Sequence, residues 1–75
     1  MSTEAVLIEV FKTNIAAASD ACSMITALSR HFPNCRISID TEDCDKVLRI
    51  EGCDFDPCVV VRLVNDSGYK CSILE

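Results

Sequence analysis

The stretch from Asp56 to Gly68, DPCVVVRLVNDSG, decides what the second half of this chain can fold into. Its centre, VVVRLV, is rich in β-branched residues and taken alone reads as a buried strand. Its ends read differently. Asp56 is a suitable N-cap, Pro57 suits the first helical position, and Gly68 suits a left-handed C-terminal cap. The punctuation brackets a helix-length window and overrides the propensity of the valines. On that helix Pro57, Val60, Val61, Leu63 and Val64 make a broad apolar stripe, leaving Cys58, Arg62, Asn65 and Asp66 outside.

The remaining elements follow by period. Ala5 to Phe11, AVLIEVF, is a β-rich run with Val6, Ile8 and Val10 on one face, ended by Lys12, Thr13 and Asn14. Ser19 as a cap and Asp20 at the positive end start a helix. Its apolar face is Ala21, Met24, Ile25, Leu28 and Phe32, and Pro33 and Asn34 stop it. RISID and KVLRI alternate, with Ile37, Ile39, Leu48 and Ile50 inward and Arg36, Ser38, Arg49 and Glu51 outward, joined by the polar connection TEDCD. YKCSILE closes the chain as a strand with Cys71 and Ile73 inward. The order β-α-β-β-α-β predicts an α+β, ferredoxin-like sandwich: a four-stranded antiparallel sheet with two helices on one face. Right-handed crossovers then gather Lys12–Ser19, Thr41–Asp45 and Asn65–Tyr69 at one end.

At 75 residues the whole chain, 1–75, reads as one domain, which buries about 60% of its unfolded surface. Aromatics are 5% of residues, so the core is built from aliphatic side chains with Phe11, Phe32 and Phe55 as large fillers. The net charge of −5 repels a phosphate backbone and argues against nucleic acid. No apolar run reaches the ~20 residues that cross a bilayer, and the start, MSTEAVLIEV, is acidic where an export signal is basic. The expectation is a cytoplasmic protein with reduced thiols, not a membrane protein. Its six cysteines, at 22, 35, 44, 53, 58 and 71, never form C-x-x-C, and CDFDPC has no second pair or histidine at finger spacing.

The motifs ALSRHFP after the first strand, DKVLRIEG as the third and DPCVVVRLVNDSGY before the fourth resemble the heavy-metal-associated domain of copper chaperones and metal-pumping ATPases. The resemblance covers nearly the whole chain. It implies a metal loop, M-x-C-x-x-C, between the first strand and first helix. Counting back from Ala27-Leu28, the methionine position is Ile15 and the two thiolate positions are Ala17 and Asp20. Alanine supplies no donor, and two thiolates on one short loop are what hold a soft ion there. Cys22 lies two residues beyond the second position, on the helix. The pattern is closer to metal-motif-free relatives, small bacterial proteins, through FKTN and EDCDKVLRIEG.

Cys44 is the leading metal candidate, because its hairpin is expected beside the degenerate loop with Glu42, Asp43 and Asp45 around it. Cys22, or a second chain, is the candidate co-donor. The competing reading is a solvated acidic turn with an incidental thiol. Cys58 in the first turn of the second helix is a candidate reactive thiol with Cys53, opposed by Asp54 and Asp56. Cys71 reads as core and Cys35 as a strand-edge residue. His31 terminates its helix far from the candidate loop. Thr13, Asn14 and Ser19 near Tyr69 either receive a small anion or simply shape the loop and cap the helix. No nucleophile and base pair is legible, so the expectation is no enzyme and no cofactor. The favoured reading is an interaction or regulatory domain with Thr13, Asn14, Cys44 and Tyr69 on its contact surface, binding a protein partner or itself at a sheet edge. The alternatives are a divergent copper or zinc binder, and a small-molecule sensor.

Overall fold

A computed structural model describes residues 6–53 and 55–74. The elements run β1 (Leu7–Thr13), α1 (Ala18–His31), β2 (Arg36–Asp40), β3 (Val47–Gly52), α2 (Pro57–Asp66) and β4 (Cys71–Ile73). The strands form one antiparallel sheet in the order β2-β3-β1-β4. Both helices contribute to a single core. Ala21, Met24 and Leu28 of α1 and Val60 and Val64 of α2 meet Phe11, Leu48 and Ile50 of the sheet, with Ile15 and Phe55. Each fully buried large aliphatic is worth about 1.5–3 kcal/mol of apolar transfer, a sizeable share of the net stability of so small a domain.

α2 forms as its punctuation predicts. The Asp56 carboxylate accepts from the Cys58 N–H at 2.9 Å and Pro57 occupies the first turn. At the other end the Gly68 N–H donates to the Asn65 carbonyl at 3.0 Å and the Tyr69 N–H to the Val64 carbonyl at 3.3 Å. This double closure needs a left-handed residue, supplied by Gly68 at φ +96°. Valines cost a helix a few tenths of a kcal/mol each, and two good caps at about 1 kcal/mol apiece offset that.

Three expectations change. First, β1 runs on to Thr13, and its buried face is Phe11 and Thr13. Val6 and Ile8 are 58% and 51% exposed. Pairing with β3 causes this: Phe11 sits opposite the inward Leu48, while Ile8 and Val10 sit opposite the outward Glu51 and Arg49. Ala5, read as the strand's first residue, lies outside the described residues, as does Asp54. Second, α1 begins at Ala18 with Ala17 as an N-cap that offers no side-chain acceptor, so Ser19 and Asp20 stand inside the first turn. Third, Ile73 lies opposite Phe11, on the core side, yet stays exposed because β4 is a short edge strand.

Gly52 ends β3, opposite Leu7 of β1, at a close approach of chains. A methyl added there would lie 2.5 Å from the Cys35 sulfur and 3.1 Å from the Cys35 Cα and Cβ. Gly52→Ala is therefore expected to destabilise the fold by about 1–3 kcal/mol, read by urea unfolding. Adding Cys35→Ala should recover part of that loss. Equal stability of Gly52→Ala and the parent would contradict the close approach.

Candidate functional site

The end that carries the first loop is assembled by backbone geometry around Thr13. Its N–H donates to the Asp45 carbonyl at 3.1 Å. Its hydroxyl donates to the Lys46 carbonyl at 2.6 Å and accepts from the Ile15 N–H at 3.2 Å. Thr13 is 6% exposed, so it is a clasp beneath the surface. Asn14, next in the chain, is exposed and its Oδ1 accepts from the Lys70 N–H at 2.8 Å. Asn65 does the same for the Cys71 N–H at 3.1 Å. The first loop, the β2–β3 turn and the α2–β4 connection thus come together, as their topology predicts.

The positions that the metal-loop resemblance singles out lie apart in character. Ile15 is fully buried in the core, Ala17 is the exposed helix cap, and Asp20 is exposed in the first turn. Asp20 accepts the Tyr69 hydroxyl, and burial, followed by the charge and hydrogen bond of Asp20, raises the Tyr69 phenol above its ordinary value. Asp20 and Tyr69 line a depression of about 230 Å³ with Ser23, Met24, Ala27 and Ser67. Cys22 is exposed one turn into α1, its carbonyl accepting the Thr26 hydroxyl at 2.9 Å.

Cys44 is exposed in the six-residue β2–β3 turn, spanning 41–46. Asp40 Oδ1 accepts from the N–H groups of Glu42 and Asp43, and Asp43 Oδ1 accepts from the Asp45 N–H at 2.8 Å. Lys46 takes a left-handed conformation, φ 46°, to lead into β3. Among the described residues, the potential donors that gather are Asp43, Cys44 and Asp45, with one ligand atom from each within 4.8 Å of the others. Cys22 is not in that group. Asp45 also faces Lys12 at 3.8 Å, an exposed pair worth little.

The other thiols divide by environment. Cys58 is exposed in the first turn of α2. Cys35 and Cys53 line a depression of about 250 Å³ with His31, Phe32, Pro33 and Asn34. His31 is exposed in the last turn of α1. Burial raises the Cys35 thiol, and pushes Cys71, which packs against the core, up to about 11. Sequence reasoning misses the Thr13 clasp and the Asn14 tie, whose backbone partners lie 33 and 56 residues away, and the Asn65 tie, whose partner is a backbone N–H that no side-chain pattern marks. Among the described residues no helix is long and apolar enough to cross a membrane. Comparison with protein-family models, curated proteins and solved structures finds no match to this chain.

Thr13→Val removes the hydroxyl and leaves a buried N–H and a carbonyl without that partner, an expected loss of about 1–3 kcal/mol in urea unfolding. Thr13→Ser should retain most of the stability, and a full-strength Thr13→Val protein would discount the clasp. The raised thiols carry a pH signature. Cys71 stays protonated in the fold above its ordinary 9.0, so the stability it contributes is complete below about pH 9 and declines toward pH 11. Cys35 and Tyr69 act in the same direction. Melting temperature should fall across that window, and Cys71→Ala should flatten the fall.

Proposed function

We propose that this chain is a non-enzymatic interaction or regulatory domain of ferredoxin-like build, derived from the heavy-metal-associated family and no longer a metal-transfer protein. The strand order β2-β3-β1-β4, with both helices feeding one core, supports the fold reading. One observation carries the function: at the junction of β1 and α1, where the family resemblance expects two thiolates, stand an exposed alanine cap and an aspartate engaged with Tyr69. A loop with those side chains offers no pair of soft donors to a monovalent ion. The proposed contact surface is the same end, with Asn14, Cys44 and Tyr69 around the buried Thr13, and the proposed setting is the cytoplasm. Its partner is another protein or a second copy at a sheet edge.

The gathering of Asp43, Cys44 and Asp45 favours one second reading, a divergent zinc or copper binder. That set holds one soft donor, and Asp43 Oδ1 is already committed to a backbone N–H. Equilibrium dialysis of the reduced protein against copper(I) and zinc separates the two. The expected result is no stoichiometric uptake by the monomer. Tight uptake that Cys44→Ser abolishes would replace the first reading with the second.

A further inference from the structure

The solvent side of the sheet has a composition unlike the rest of the chain. Strand register places Arg36 beside Glu51 and Ser38 beside Arg49, with Ile8 next to Glu51 and Val10 next to Arg49. Lys12 lies opposite Ser72 on the same side. The Leu74 N–H donates to the Val10 carbonyl at 2.9 Å, which extends the row onto the last described residue after β4. Among the described residues, Lys12, Arg36 and Arg49 thus share this face with Asp40 and Glu51, and Asp45 of the adjoining turn stands 3.8 Å from Lys12. The chain carries −5 overall, whereas charges of the two signs nearly balance on this face, with both arginines on β2 and β3.

Within the face, charge and apolar surface are segregated. Arg36, Ser38, Arg49 and Glu51 line a depression of about 180 Å³ across β2 and β3. Among the described residues Arg36 has no ion-pair partner, and the exposed Arg49 meets the half-buried Glu51 at 3.9 Å. Across β1 and the end of β4 lie Ile8 and Leu74, 51% and 38% exposed, flanking the half-buried Val10. Asp40 is turned to its own loop, where it accepts two backbone N–H groups. Two guanidinium groups, Arg36 and the loosely paired Arg49, therefore stand one or two strands, about 5–10 Å, from an uncovered aliphatic strip, in reach of forked bonds to a carboxylate.

We propose that the open face of the sheet docks an acidic, partly apolar protein segment. A carboxylate lies over Ser38 between Arg36 and Arg49, and an aliphatic or aromatic side chain lies on Ile8, Val10 and Leu74. In an extended segment, side chains two residues apart share a face and stand about 6.6–6.8 Å apart, which matches the separation of the two halves. The site is distinct from the loop end and holds whether or not that end binds metal, so the dialysis result bears on neither outcome here.

The test is fluorescence anisotropy of the full chain with a labelled peptide of repeating Leu-Ser-Glu-Ser. Saturable binding is expected, weakened by about tenfold or more in the Arg36→Gln, Arg49→Gln double variant and in Ser38→Glu. Glu51→Gln should tighten it, because it releases Arg49 and removes the competing charge. Peptides with lysine for glutamate, or serine for leucine, should bind far less well. Circular dichroism melts confirm that these surface variants fold. No saturable binding, or binding unchanged in both the double variant and Ser38→Glu, overturns the proposal. So does a single-stranded oligonucleotide that competes at equal affinity. Sedimentation showing a dimer that the double variant loses would assign the face to a second copy instead.

Discussion

One buried hydroxyl organises the end of the molecule where three connections meet. Thr13 closes β1, holds the β2–β3 turn through the carbonyls of Asp45 and Lys46, and fixes the Ile15 N–H as the chain turns toward α1. With its donor and one of its two lone pairs used inside the fold and the side chain buried, Thr13 is withdrawn from the contact surface. Ile15, placed by that bond, plugs the core fully. The loop is thus pulled inward by one apolar and one polar anchor, and the exposed residues that remain, Asn14, Ala17 and Asp20, owe their positions to it.

The two faces of the sheet divide the tasks of stability and recognition. Inward positions hold Phe11, Leu48 and Ile50 against the helices, and none tolerates a polar substitute without loss of core. Outward positions carry no such burden. Arg36, Ser38 and Arg49 can vary with little effect on stability, which leaves their identity open to be set by what they touch. The helix caps add a further separation, because α2 is held at both ends by its own local bonds and needs no partner to stay in place.

How much of this is legible in the sequence depends on how strongly each signal is polarised. α2 is readable despite its valines, because Asp56, Pro57 and Gly68 each do one thing well. β2 and β3 are readable because isoleucines and leucine alternate with arginine, serine and glutamate. β1 is not, since AVLIEVF is apolar at both parities, and only pairing with a clearly two-faced neighbour tells which side is wet. The start of α1 is misread for a related reason: Ser19 and Asp20 are good caps, yet the core position of Ile15 lets the helix begin two residues before Asp20, at an alanine-capped turn. At the candidate site, topology foretells the meeting of the first loop, the turn and the α2–β4 connection. The bonds that make the meeting run from Thr13 to Lys46 and from Asn14 to Lys70, across separations of 33 and 56 residues, where no local pattern reports them.

The two asparagine ties have a consequence for how the domain breathes. β4 spans three residues, exposes two of them, and has the N–H groups of Lys70 and Cys71 held by side-chain amides that are themselves at the surface. β4 is therefore the thinnest margin of the sheet, held to β1 by a short ladder and to the core chiefly through Cys71.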